Sequence, residues 1–243
     1  MTESILLTAT RIQTFDGQTG LTNATGFFFA RDDRLFLVTS RHVMYDEASK
    51  HFPDRIEIDL HTDPANLAAS TGFSIPLYAN GRGLWRQGVD TAGEIDVAAI
   101  ELHQPALPAT GVYRAFTPQH LFQPSDQVEA GDALLIAGFP LGFHDALHHM
   151  PVVRHAIIAS SFGLRFQGEG YFLTDARTHR GTSGAPVVIR RPNPDLHRDD
   201  LPWILLGVHS SRVDVGTRDL VLDESLGLNC AWYASILMTL TSA

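Results

Sequence analysis

One cysteine, Cys230, stands in a chain of 243 residues, so no internal disulfide braces the fold. Positive charge is also scarce: 18 Lys and Arg stand against 27 Asp and Glu, a formal net charge of -9. That balance argues against nucleic acid or an anionic membrane as partner, because both select a basic face. No apolar run is long enough to span a bilayer. The opening MTESILLTATRIQTFDG has neither a basic start nor a sustained apolar stretch, so no secretory signal is read and a cytoplasmic location is expected. A zinc set is missing too: there is no cysteine pair and no H-E-x-x-H. His144, His148 and His149 in FHDALHHM are therefore read as a solvated loop, with no metal site expected. GFPLGF, Gly138–Phe143, lacks the G-x-G-x-x-G spacing of a dinucleotide loop, and no cofactor is expected.

What is present is a series of short apolar segments, rich in Val, Ile and Phe, bounded by Gly, Asp, Asn or Pro. That pattern predicts strands. They are placed at Leu6–Arg11, Gly26–Ala30, Leu35–Thr39, Arg55–Leu60, Phe73–Leu77, Val97–Leu102, Ala133–Gly138, Val152–Ser160, Tyr171–Thr174, Pro186–Ile189, Ile204–His209 and Leu226–Trp232. Helical signal is confined mainly to YASILMTL at the end, expected to pack Trp232, Ile236 and Leu240. The expected class is all-β, built as barrels or a sandwich. The proline-rich stretch His103–Asp126 suits a linker lying across the surface of two halves. It divides a single domain of residues 1–243 into 1–105, a linker at 106–126, and 127–243. Arg190–Pro202 reads as a long hairpin loop.

HRGTSGAP, His179–Pro186, sets the functional question. A serine hydroxyl is a poor nucleophile near neutral pH and needs an adjacent base, which in turn needs a third group to hold its tautomer. His42 in FLVTSRHVMYD is the candidate base, delivered by the end of an apolar strand. Asp96 in GEIDVAAIEL is the candidate orienting acid. Its apolar setting makes an unpaired charge costly, and an imidazole N–H is a suitable partner. Gly181 lets the backbone turn tightly, so that its N–H and that of Ser183 form an oxyanion hole. Gly184 is expected to leave room for a substrate carbonyl.

The chain order is His42, Asp96, Ser183. An α/β-hydrolase would run Ser, Asp, His from a G-x-S-x-G elbow, and Ala185 breaks that motif. Four stretches carry a resemblance: TGFFFARDDRLFLVTSRHV, EIDVAAIEL, LLIAGFPLG and TDARTHRGTSGAPVV. In this order the chain resembles a bacterial trypsin-like serine peptidase, related to the Deg/HtrA proteases and the glutamyl endopeptidases. The resemblance implies two six-stranded antiparallel β-barrels of the chymotrypsin-like kind, with the site between them and a short C-terminal helix. It implies peptide-bond hydrolysis with a protein or peptide as substrate. Arg41 replaces the small residue usual before the histidine, and must leave the core or lie along the surface. Thr182 replaces the aspartate that pairs with a new N-terminus in the animal enzymes, so activation by that route is not expected.

The resemblance also places a substrate-pairing strip at Val208, His209 and Ser210, and a specificity pocket between Ala176–Arg180 and Leu205–Arg212. His209 and Thr178 fall where the glutamyl endopeptidases carry a histidine and a hydroxyl residue. With Arg177 and Arg180 on the same loop, a preference for Glu or Asp before the scissile bond is expected. Two alternatives stand beside the active enzyme. One is a catalytically silent scaffold that binds protein partners through the same cleft. The other is a latent enzyme whose oxyanion loop waits for an activating partner of unknown identity.

Overall fold

Alternation along Ala9–Asp16 buries Ile12 and Thr14 and leaves Gln13 half-exposed, the two-residue period of a half-buried strand. The computed structural model, which describes residues 2–191, 201–210 and 227–242, extends this pattern through fifteen strands. The first half holds β1 (Ala9–Asp16), β2 (Thr19–Arg31), β3 (Arg34–Thr39), β4 (Arg55–His61) and β5 (Ser70–Pro76). A two-residue ladder follows, β6 (Tyr78–Ala79) with β7 (Arg82–Gly83), and then β8 (Trp85–Asp90) and β9 (Gly93–Glu101). Apart from that ladder they form a seven-stranded antiparallel sheet in the order β5-β4-β1-β2-β3-β9-β8.

The second half holds β10 (Ala133–Gly138), β11 (Val152–Ile158), β12 (Tyr171–Asp175), β13 (Pro186–Arg190), β14 (Trp203–Ser210) and β15 (Leu228–Tyr233). These six close into an antiparallel barrel in the order β10-β11-β12-β15-β14-β13, which leaves no open sheet edge. The all-β, chymotrypsin-like double-barrel architecture expected from the sequence is thus present, with the N-terminal half a seven-stranded sheet.

Among the described residues, three apolar clusters organise the interior. One is confined to the N-terminal half, around Ile12, Leu37 and Ile100, and one to the C-terminal barrel, around Ile136, Phe172 and Leu206. The third, with Phe27, Phe116, Leu205 and Trp232, is shared by both halves. Strand β14 serves two of them: Ile204 and Leu206 join the barrel cluster, Leu205 and Val208 the shared one. That double duty explains why all eight of its residues are buried.

The structure corrects several expectations. Ser4–Leu7 is a 3-10 turn, not strand, tied by the Thr8 hydroxyl to Ile5 O at 2.7 Å, and the strand starts at Ala9. Strand β8 had no apolar signal; it forms because its backbone pairs with β9. The connector does not simply cross the surface. Phe116 is fully buried, its N–H bonded to Phe28 O at 2.9 Å and its C=O accepting from Ala30 N–H at 2.7 Å.

Arg190 pairs with Trp203, so the expected hairpin is present at its ends, while residues 192–200 lie outside the described set. The terminal helix is a 3-10 turn, Ala234–Ile236, followed by Leu237–Leu240. Its deepest residue is Leu237, whereas Ile236 is only half-buried. Among the described residues no helix is long and apolar enough to cross a membrane.

Candidate active site

Strand β3 ends at Thr39, and its apolar run leads through buried Ser40 into the single helical turn Arg41–Met44. His42 therefore leaves a rigid strand end. Its Nδ1 lies 2.7 Å from Asp96 Oδ2, and its backbone N–H donates to Asp96 Oδ1 at 2.9 Å. Asp96 sits on β9, the strand paired with β3, so both groups are set by one ladder. Ser210 on β14 donates its hydroxyl to Asp96 Oδ2 at 2.8 Å.

Burial pushes the Asp96 carboxyl up, but the His42 charge and the hydrogen bonds from His42 and Ser210 outweigh it. The carboxyl is held below its ordinary range and stays ionised. An ionised acceptor at Nδ1 places the proton there and leaves Nε2 as the basic nitrogen. Arg41 lies along the surface, as expected, with its guanidinium 3.1 Å from Glu94.

Ser183 lies in the turn between β12 and β13 and is almost fully buried. Its turn is packed against the segment that carries His42. The carbonyl of His209 accepts both the Gly184 N–H, at 2.8 Å, and the Ser40 hydroxyl, at 3.3 Å. A Cβ on Gly184 would lie 2.2 Å from both Thr25 O and Thr39 Oγ1. Gly184 is thus needed for contact between the two halves, not to leave room for a substrate carbonyl.

Gly181 has φ +92°, and a Cβ there would meet Phe139 O at 2.5 Å, so only glycine fits the turn. Among the described residues its N–H donates to no other group, as an oxyanion donor requires. Thr182 is buried, and its hydroxyl has no partner among the described residues.

The specificity residues expected from the sequence fare differently. Val208 lies between Pro186 on one side and Trp232 on the other, and His209 uses its N–H on Ala185 O and its C=O on Gly184. Neither presents an open strand edge, so the substrate-pairing strip does not begin at Val208. Ser210 is its one member left among the described residues, since 211–226 lie outside them, Arg212 of the expected pocket wall included.

The Thr178 hydroxyl donates to Asn229 Oδ1 at 2.7 Å, and Asn229 in turn donates to Ala176 O at 2.7 Å. Arg177 and Arg180 are exposed and make no ion pair among the described residues. His209 is fully buried, and among the described residues neither ring nitrogen has a hydrogen-bond partner. Burial, with the nearby His42, drives it down to about 3, so its imidazole is neutral.

Two functional features escaped sequence reasoning. Ser210 was read as a backbone contact, but its side chain holds Asp96. Asn229 carries only the weak signal of a polar residue in an apolar strand, LNCAWY. Among the described residues no group of three His, Cys, Asp or Glu side chains is gathered to hold a metal ion. The histidines of the 143–150 loop bond elsewhere: His144 to Gly142 O at 2.6 Å and His148 to Asp145 at 2.7 Å.

A closed six-stranded barrel beside a second antiparallel β-sheet is consistent with the chymotrypsin-like class of fold. The sequence matches the trypsin-like peptidase domain over residues 24–191, and the chain belongs to that family. No curated protein matches it. Among solved structures it is similar to a serine endoprotease from Yersinia pestis, at 16% identity and TM-score 0.53, with 97% of this chain covered. The chain spans 62% of that protein's length. It is also similar to a protease from M. tuberculosis in its active form, at 16% identity and TM-score 0.51, covering 98% of this chain and 82% of the other.

Proposed function

We propose that the chain is a serine endopeptidase working through Ser183, His42 and Asp96. The observation that carries this reading is the doubly bonded pair of Asp96 with His42, which leaves Nε2 basic. Ser183 Oγ attacks the scissile carbonyl as its proton passes to His42 Nε2, and the oxyanion is received by the N–H groups of Gly181 and Ser183. Collapse breaks the C–N bond, the leaving amine takes the proton from His42, and water repeats the sequence on the acyl-enzyme. Cytoplasmic localisation belongs to the same reading and rests on the sequence alone.

The finer reading is a preference for Glu or Asp before the scissile bond. His209 supports it: a buried imidazole with two unpartnered nitrogens is costly, and a substrate carboxylate offers its N–H an acceptor. Thr178 supports it less, because its only proton is committed to Asn229.

Fluorophosphonate labelling of the parent but not of Ser183→Ala, with cleavage of a denatured protein mixture mapped by mass spectrometry, is the expected result. Equal absence of labelling and cleavage in both proteins would replace the active enzyme by the partner-binding scaffold or by the latent form that waits for an activating partner.

A further inference from the structure

The oxyanion loop is gripped from the opposite half of the molecule, by one side chain. Thr25 lies on β2 and is fully buried. Its hydroxyl donates to Gly181 O at 2.8 Å and accepts from Phe139 N–H at 3.0 Å. Its N–H donates to Ser183 O at 3.0 Å, and its C=O accepts the Thr39 hydroxyl at 2.7 Å. Every polar atom of Thr25 is thereby committed, two of them to the loop that carries the candidate nucleophile.

The consequence follows from peptide planarity. A carbonyl and the N–H of the next residue point opposite ways across one rigid plane. Arg180 O is held by Leu141 N–H at 2.6 Å, which turns the Gly181 N–H the other way. Gly181 O is held by the Thr25 hydroxyl, which fixes the next plane. Thr182 O accepts from Ala185 N–H at 3.0 Å and Ser183 O from Thr25 N–H, so all four carbonyls from Arg180 to Ser183 are held. Leu141 can hold Arg180 only while the turn that begins at Phe139 stays in place, and Phe139 N–H is itself pinned by the Thr25 oxygen. One hydroxyl therefore fixes the peptide plane after Gly181 directly and the plane before it through Phe139–Leu141.

We propose that Thr25 is a positioning residue for the oxyanion hole, a hydroxyl clamp from the N-terminal sheet that sets the direction of the Gly181 N–H. This rests on the serine-peptidase reading for its catalytic meaning, but not for its structural one.

The test compares the parent with Thr25→Val, which keeps the shape and removes the hydroxyl, and Thr25→Ser, which keeps the hydroxyl. If Thr25→Val does not fold, Thr25→Ala takes its place. Loss of the hydroxyl should lower kcat by about 10–100-fold with KM little changed, and Thr25→Ser should recover most of the loss. Amide hydrogen exchange should quicken at Leu141 as well as at Phe139 when the hydroxyl is removed, and return to the parent rate in Thr25→Ser. Unchanged kcat in folded Thr25→Val, a loss in Thr25→Ser as large as in Thr25→Val, or unaltered exchange at Leu141 each overturns the clamp. Were parent and Ser183→Ala alike inactive and unlabelled, the peptidase reading would fall, and exchange at Leu141 would still decide the clamp.

Discussion

Ser210 and His42 share one oxygen of Asp96: the Ser210 hydroxyl reaches Oδ2 at 2.8 Å and His42 Nδ1 at 2.7 Å. The two donors come from opposite halves of the molecule, so the carboxylate is fixed only when the halves are docked. Ser210→Ala removes one of three hydrogen bonds to an ionised group, worth about 1.5–3 kcal/mol each. It is expected to lower kcat by roughly 10-fold with KM nearly unchanged, whereas Asp96→Asn, which releases the wrong tautomer, lowers it by about 10⁴-fold. Steady-state kinetics on one peptide substrate reads both; a KM effect alone in Ser210→Ala would mean that the serine binds substrate and does not orient Asp96.

His209 makes the fold sensitive to acid. In the unfolded chain its imidazole titrates at the ordinary value of 6.5, and in the fold at about 3. Between those values the unfolded state binds the extra proton, so stability is full above 6.5 and is lost as pH falls. The slope from this group is about 1.4 kcal/mol per pH unit at its steepest. Urea unfolding at pH 7 and pH 5 should show a drop in the parent that is markedly smaller in His209→Leu. Equal drops in the two proteins would mean that His209 is solvated in the fold.

Most strands were legible because each half needs an apolar inner face, and Ala133–Gly138 was placed to the residue. The errors fall where tertiary contact overrules local pattern. Trp85–Asp90 carries a glycine and three polar or charged residues, and is strand only because β9 lies beside it. Thr19–Arg31 begins seven residues before its apolar part, because β1 supplies the ladder for its polar end. The pairing of His42 with Asp96 was legible because an imidazole base needs a carboxylate to hold its tautomer, and both lie at the ends of apolar strands. Ser210 was not, since nothing about a serine after an apolar strand says that its hydroxyl crosses to another sheet. The role of Gly184 was misread for the same reason: what it makes room for is a strand 145 residues away in sequence, at Thr39.

The proposed acidic preference predicts a ratio, not a rate. If His209 receives the substrate carboxylate, peptides with Glu before the scissile bond should exceed those with Gln in kcat/KM by at least about 10-fold, one charge-assisted hydrogen bond's worth. His209→Leu should bring the ratio near one while leaving fluorophosphonate labelling intact. Parent activity with no bias between Glu and Gln would leave the endopeptidase standing and remove the acidic preference.

Gly184 measures how tightly the halves are docked. A methyl at this position would sit 2.2 Å from Thr25 O and 2.2 Å from Thr39 Oγ1, well inside van der Waals contact, and φ is +87°. Neither neighbour can yield easily: Thr25 O is backbone in β2, and the Thr39 hydroxyl is bonded to that same oxygen. Gly184→Ala therefore combines backbone strain of about 1–2 kcal/mol with a clash that only separation of the halves relieves, for a total loss of about 3 kcal/mol or more. Because the strain falls beside Ser183, activity should drop even at temperatures where the protein remains folded. Thermal unfolding followed by circular dichroism, with labelling of Ser183 below the midpoint, checks both parts. A variant with parent-like melting would show that the turn around Ser183 is not held against Thr25 and Thr39 in solution, and the hydroxyl clamp would lose its footing with it.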